Sequence, residues 1–298
     1  MPALLIFIVY FAIALLSGAA ISYPVYLLLV NWFELDFDRV VSRMVLVMAI
    51  ILFIALFRKL GFASWQEIGY NTDKKRFFGD LIKGVGIGIL IMSPVVIGLL
   101  LTKNRIFDMD WEFTAVNLIG LLLISLIAGL IIGFIEETLF RGAMLSAINK
   151  HASVIFAVVA SSLIYALIHF AQPEIELDPA TLNWGSGFIL VKNALLGMTD
   201  FPRIFDSFIA LFLAGVLLSV VRIRTNRIAF CIGIHAGWVL VIKVFKRVTD
   251  SHSVSEYAFL TGSYDKVIGY LAAVSIIIFI ILILKFQIFK PNSEKILD

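Results

Sequence analysis

Five ionisable residues fall inside or at the ends of long apolar stretches: Glu136, Glu137, Arg141, His169 and His235. In lipid such a residue costs a few kcal/mol or more, so it needs a partner, water or a function. The segment GFIEETLFRG, residues 133–142, reads as a helix that sets Glu137 and Arg141 at i and i+4 in the favourable acid-before-base order. Neighbouring residues on a helix are turned by about 100°, so Glu136 faces elsewhere and is available to a different partner. A carboxylate packed among Phe134, Ile135 and Phe140 suits a general base that must later return its proton. His169 follows Tyr165 by one helical turn, and His235 sits in CIGIHAGW, where Gly233, Ala236 and Gly237 permit close backbone approach. A neutral imidazole accepts or donates a hydrogen bond, and a charged one can stabilise an oxyanion. One carboxylate and two imidazoles from three helices could hold a water and polarise a carbonyl.

Plainer readings exist for each residue taken singly. Glu136 and Glu137 could be acids snorkelling from a span end, His169 an interfacial hydrogen-bonding residue, and His235 a packing contact in a small-residue helix. His151 and His252 lie in connections and read as solvated, while Asn117, Gln172 and Asn193 read as ordinary polar loop or interfacial residues. Two carboxylates and two imidazoles could ligate zinc, but no HExxH pair occupies one helix, so a metal is not favoured and no cofactor is expected. The single cysteine, Cys231, lies in an apolar run, which excludes a disulfide framework and any multi-cysteine metal site.

The elements that must position these residues follow from composition. Of 298 residues, 61% are hydrophobic and only 15% charged, against about 25% charged in soluble domains. The apolar residues form uncharged runs, several of about 15 to 30 residues, and about 20 suffice to cross hydrocarbon. The expected fold is all-α, a polytopic membrane bundle of about eight transmembrane helices in a single integral membrane domain, with its core at about 113–242. The predicted spans are 4–31, 40–57, 84–102, 113–140, 153–170, 207–221, 228–242 and 267–284. The first has no basic leader and stays apolar past Ser17, Gly18, Ala19 and Ala20, so it reads as a retained span bent at Pro24 rather than a secretory signal.

Charge alternates in step with the spans. Arg58, Lys59, Lys74, Lys75 and Arg76, then Arg141 and Lys150, then Arg222, Arg224 and Arg227, and finally Lys285, Lys290 and Lys295 mark four segments as cytoplasmic. The intervening connections are acidic: Glu34, Asp36 and Asp38; Asp108, Asp110 and Glu112; Glu174, Glu176 and Asp178; Asp250, Glu256 and Asp265. Both termini are therefore expected inside, in a plasma membrane, with Lys243, Lys246 and Arg247 as an imperfection on the acidic side. Scattered basic residues account for the net charge of +3 without a nucleic-acid partner. Residues 61–80 are expected to lie as an amphipathic piece on the cytoplasmic surface, and the long connection 171–205 to contain a short re-entrant or interfacial helix near 188–196. There is no internal repeat to support an inverted-repeat transporter.

At these residues the sequence resembles the CPBP family of intramembrane proteases, which includes the type II CAAX prenyl endopeptidases. The motif EExxxR is matched by Glu136, Glu137 and Arg141, FxxxH by Tyr165 and His169 with tyrosine for phenylalanine, and HxxxN begins at His235. The resemblance covers about 113–242 and extends to motif order, spacing and an eight-span architecture. It implies an intramembrane endopeptidase acting on a peptide or protein substrate, of which a prenylated CAAX tail is the family's best-known example. By that resemblance Glu136 activates water together with His169, Glu137 and Arg141 support the site, and His235 stabilises the oxyanion. Val239 stands where the family often has asparagine, and loss of one oxyanion donor typically costs about 100- to 1000-fold in rate. Trp238 could present its indole N–H to the same region, and Tyr165 keeps the aromatic body while adding a hydroxyl.

Two other readings use the same residues: a proton-coupled transporter in which Glu136, His169 and His235 form a relay, and a degenerate, non-catalytic family member. If the fourth and fifth spans were straight and complete, Glu136 and His169 would lie about 20 Å or more apart, a spread that a relay tolerates better than hydrolysis does.

Overall fold

A backbone in hydrocarbon must satisfy its own N–H and C=O groups, which leaves long uncharged runs no choice but helix when they are not strands of a closed barrel. The computed structural model describes residues 2–70, 73–252 and 255–289. Lys290 and Lys295 lie outside the described residues. Six helices are long and apolar enough to cross a membrane: α1 (Pro2–Leu29), α2 (Phe37–Lys59), α3 (Lys74–Leu101), α4 (Ala115–Glu137) with its continuation to Asn149, α8 (Phe201–Thr225) and α9 (Ile228–Val248). That continuation is a π-helical segment, Thr138–Met144, followed by α5 (Leu145–Asn149). Three apolar helices are shorter: α6 (Val154–Ile168), α7 (Ser186–Gly197) and α10 (Tyr270–Lys285). The protein is thus an all-α, polytopic integral membrane protein.

Several boundaries differ from the expectation, each for a physical reason. The third helix starts at Lys74 rather than near 84, so residues 61–70 form turns and the aromatic and charged residues after Asp73 belong to α3. Hydrocarbon limits where charge is costly, not where a helix begins; the Asp73 side chain caps α3 by accepting from Arg76 N. The fifth and eighth expected spans are α6 and α10, both short of a full crossing at about 1.5 Å per residue. Pro24 lies inside α1, which continues on both sides of it. The helix expected near 188–196 is α7.

The chain divides into two compact units. The first contains residues up to Ala63 together with Lys150–Ala152 and Leu167–Pro202. Here Ala19 and Tyr26 of α1, Phe37, Val40 and Val41 of α2, and Leu190 and Val191 of α7 form one buried cluster. The Tyr10 hydroxyl donates to Ala49 O at 2.6 Å, tying α1 to α2.

The second unit contains Ser64–Asn149, Ser153–Ala166 and the described residues from Arg203 onward. Its central helix is α9, in which every residue from Ile228 to Trp238 is buried. Glycines let two neighbours reach its backbone. A Cβ on Gly84 would lie 2.9 Å from Gly233 Cα, and one on Gly88 would lie 3.1 Å from Gly237 Cα, so α3 and α9 run parallel in near-contact, the small-xxx-small packing of membrane helices. On another side of α9, a Cβ on Gly129 would meet Ala236 O at 2.7 Å and one on Gly133 would meet Ile232 O at 3.0 Å. That order makes α4 antiparallel to α9. Beyond α3 and α9 a small antiparallel ribbon pairs β1 (Arg105–Phe107) with β2 (Thr249–Ser251). Parallel α3 and α9 bring their basic starts to one end and their acidic sequels to the other. Lys246 and Arg247 occupy the last turn of α9, where cations complement the helix dipole.

Candidate active site

The motif GFIEETLFRG does not end a span. The helix that carries it runs on to Asn149, about 20 Å beyond Glu136 at 1.5 Å per residue, so the carboxylates sit within a long helix rather than at its end. Arg141 suggested a terminus to hydropathy, but its side chain is 1% exposed and that of Glu137 is 0% exposed. The snorkelling reading therefore fails for Glu137. Arg141 Nη1 donates to Glu137 Oε1 at 3.2 Å, and the guanidinium lies 4.0 Å from the centre of the Tyr165 ring. Tyr165 is buried and meets Phe140 edge-on at 5.2 Å. The hydroxyl-bearing ring in place of phenylalanine thus serves as a platform for the cation, worth about 2 kcal/mol when desolvated.

His235 completes the cluster because α4 and α9 run antiparallel with glycine at their contact. A Cβ on Gly133 would stand 3.4 Å from His235 Cβ; a larger residue there would push the imidazole away from the carboxylates. The His235 Nδ1 lies 2.8 Å from Glu137 Oε1, and Nε2 lies 3.9 Å from Glu136 Oε2. Since the carboxylate can only accept when ionised, Nδ1–H is the donor to Glu137, and the other ring nitrogen is turned toward Glu136. The two carboxylates face different sides, as the helical offset requires: the Glu137 side chain is fully buried, whereas that of Glu136 is 28% exposed.

Local structure around the pair departs from an ordinary helix. Thr138–Met144 is π-helical, a form that commonly marks functional sites. The Thr138 hydroxyl donates to Phe134 O, which leaves it to accept from the Tyr70 hydroxyl at 2.6 Å. Burial pushes the Tyr70 phenol up to about 12, opposed by the bond to Thr138 and reinforced by the Glu137 charge. The turn that carries Tyr70 is pinned from beneath: Ile228 N donates to Gly69 O at 2.9 Å, and Arg222 Nη1 holds Asn226 Oδ1 at 2.7 Å while Nη2 reaches Glu67 O at 3.4 Å. Gly69 has φ +99° and sits against the Arg222 guanidinium, where a Cβ would come within 2.7 Å of its Nε. Tyr70 and Thr138 were not singled out by sequence. A lone tyrosine in a polar turn carries no spacing signal, and a threonine inside EETLFR looks like an ordinary helical residue.

The other expected residues fall as follows. His169 lies in the turn after α6, half-buried, in the first unit, whereas Glu136, Glu137, Arg141, Tyr165 and His235 belong to the second. The helix that carries Glu136 continues past it to Asn149, and α6 has 15 residues. Val239 is half-buried on α9. Trp238 is buried one turn from His235, with ring centres 6.4 Å apart, and its Nε1 bonds to no described residue. His252 is exposed, with Nδ1 3.2 Å from Lys103 O, and His151 is exposed. Among the described residues no group of three or more His, Cys, Asp or Glu side chains is disposed to hold a metal.

Fold and cluster together define a class: a polytopic membrane protein that buries a guanidinium, a carboxylate and an imidazole between its helices, with a second, part-exposed carboxylate beside them. Residues 117–241 match the family model described as Type II CAAX prenyl endopeptidase Rce1-like. No curated protein and no solved structure matches the chain. The matched segment spans the positions of all three motifs, and over it the chain is similar to CAAX-type prenyl endopeptidases.

Proposed function

We propose that the protein is an intramembrane endopeptidase that hydrolyses a peptide bond by general-base activation of water. The observation that carries this reading is the His235 ring, which binds Glu137 through one nitrogen and turns the other toward Glu136. Glu136 takes a proton from a water molecule, and the hydroxide oxygen attacks the scissile carbonyl carbon. The resulting oxyanion accepts a hydrogen bond from Nε2–H of a His235 imidazolium, whose Nδ1–H stays on Glu137. An imidazolium at this position brings the group of two carboxylates and one guanidinium to net zero charge. On collapse the C–N bond breaks and the departing amine receives the proton held by Glu136. Arg141 and Glu137 do not touch the substrate in this scheme; they hold the imidazole in its orientation, as a buried carboxylate does for a catalytic histidine. His169 keeps the catalytic role that the motif resemblance implies for it.

The family supports a peptide or protein substrate in a membrane setting, and we take a prenylated tail as one candidate. The alternating charge favours cytoplasmic termini in a plasma membrane. A proton relay through Glu136, His169 and His235 needs stations spread along the membrane axis; Glu136 and His235 lie within 3.9 Å of each other, which favours hydrolysis.

The test is cleavage of a peptide library by the full chain in bilayers, with wild type beside Glu136→Gln, before and after rigorous chelation. Removal of the base should slow cleavage about 10²- to 10⁴-fold with the fold retained. Equal cleavage by wild type and Glu136→Gln would overturn the mechanism. Full activity after chelation would exclude a metal, and its loss would transfer water activation to one.

A further inference from the structure

We propose that the second unit carries a binding site for one anionic phospholipid at the basic end of α3 and α9. A groove of about 540 Å³, within the range of about 300–1,000 Å³ typical of ligand clefts, opens there. Its walls include Lys83, Ile87 and Leu90 of α3, Arg227 and Phe230 at the start of α9, and Phe289 after α10. The order of these residues is that of an amphiphile. Lys83 is the last charged residue before the uncharged stretch of α3, Arg227 immediately precedes that of α9, and Lys285 closes that of α10. The polar mouth of the groove therefore lies at the level where three apolar stretches begin, which is the headgroup level of a bilayer. From Lys83 the α3 wall descends through Ile87 to Leu90, about 10 Å at 1.5 Å per residue, past an apolar surface suited to the upper part of an acyl chain.

The charge at the mouth selects the headgroup. Arg227 is engaged by buried Asp80 at 2.5 Å and lies 5.1 Å from the Phe230 ring centre, so it is fixed in place and its acid is neutralised. Lys83 is exposed and forms no ion pair with any described residue. The lining contains two cations and no carboxylate. A phosphate without a compensating cation of its own complements that mouth, with Lys83 as the exposed donor and the outer edge of Arg227 as the fixed one. A choline headgroup would bring a further positive charge to the same place. Basic pockets between membrane helices on the positive side bind anionic headgroups on this principle.

The experiment uses the full chain reconstituted in vesicles of equimolar phosphatidylglycerol and phosphatidylcholine, extracted gently, with retained lipid counted by native mass spectrometry. Wild type should retain phosphatidylglycerol severalfold over its bulk ratio. Lys83→Gln should lower that enrichment about fivefold, the effect of one interfacial cation. Leu90→Trp, which keeps both cations but fills the apolar wall, should lower retention of either lipid. Retention in the bulk ratio by wild type, or an enrichment that survives Lys83→Gln, would overturn the site. The readout is independent of peptide cleavage, so its failure leaves the proposed hydrolysis standing, and the reverse also holds.

Discussion

Arg141→Met tests whether the buried cluster is held together by charge. The substitution keeps an unbranched apolar stem of similar reach and deletes the guanidinium from a site where both partners are at most 1% exposed. Glu137 then keeps only the 2.8 Å contact from His235 Nδ1, and its carboxylate is left in a dry interior with one donor fewer. Breaking a buried pair from one side costs about 3–5 kcal/mol. The cation–π contact over Tyr165 is lost in the same step, and its share of about 2 kcal/mol overlaps with that figure because both terms describe the same desolvated cation. The expected loss is therefore about 3–5 kcal/mol, or two to three decades or more in the folded-to-unfolded ratio. Reversible unfolding in mixed micelles, followed by tryptophan fluorescence, measures it. The double variant Glu137→Gln/Arg141→Met should recover part of the loss, with a coupling of up to about 3 kcal/mol, because no buried carboxylate is then stranded. A single variant within about 0.5 kcal/mol of wild type, the behaviour of a surface substitution, would refute the argument: Glu137 would not then depend on Arg141 for its charge.

Three further outcomes follow from the geometry. Gly237→Leu should prevent the close approach of α3 and α9 and abolish folded yield, whereas Gly120→Leu, at a position with nothing within 4 Å of an added Cβ, should be tolerated; size-exclusion profiles after detergent extraction compare them. Tyr70→Phe removes the hydroxyl that meets Thr138 and should cost about 1 kcal/mol in the same unfolding assay. With the Tyr70 phenol raised to about 12 from an ordinary 10, the folded state holds a proton that the unfolded state has lost between those values, so that increment is fully present below about pH 10 and fades as pH rises toward 12; the variant should flatten this part of the stability profile. Gly133→Val should displace His235 from both carboxylates and lower peptide cleavage while the helix content, read by circular dichroism, stays unchanged.

Much of the chemistry was legible in local spacing. Glu137 and Arg141 pair because residues four apart share a helix face, and Glu136 faces elsewhere because adjacent residues are turned by about 100°, so the different surroundings of the two acids follow from spacing alone. Hydropathy likewise located the helices, since an uncharged run in lipid has few ways to satisfy its backbone. Hydropathy misplaced boundaries where charge was taken for solvent. Arg141 looked like the edge of a span but is buried against Tyr165, and residues 61–80 looked like one surface piece, yet Lys74 to Asp80 form the opening turns of α3.

What the chain could not disclose in one dimension was which helices touch. Glu137 and His235 are 98 residues apart, and no local rule ranks that pairing above others among buried polar groups. The choice is made by backbone contact: Gly133 and Gly129 bring α4 onto α9 in antiparallel order, Gly84 and Gly88 bring α3 onto it in parallel, and only that arrangement sets an imidazole between two carboxylates. Residue types and helical spacing determined what chemistry was available. Close packing at glycines, a property of two surfaces rather than of one segment, decided which of those groups would meet.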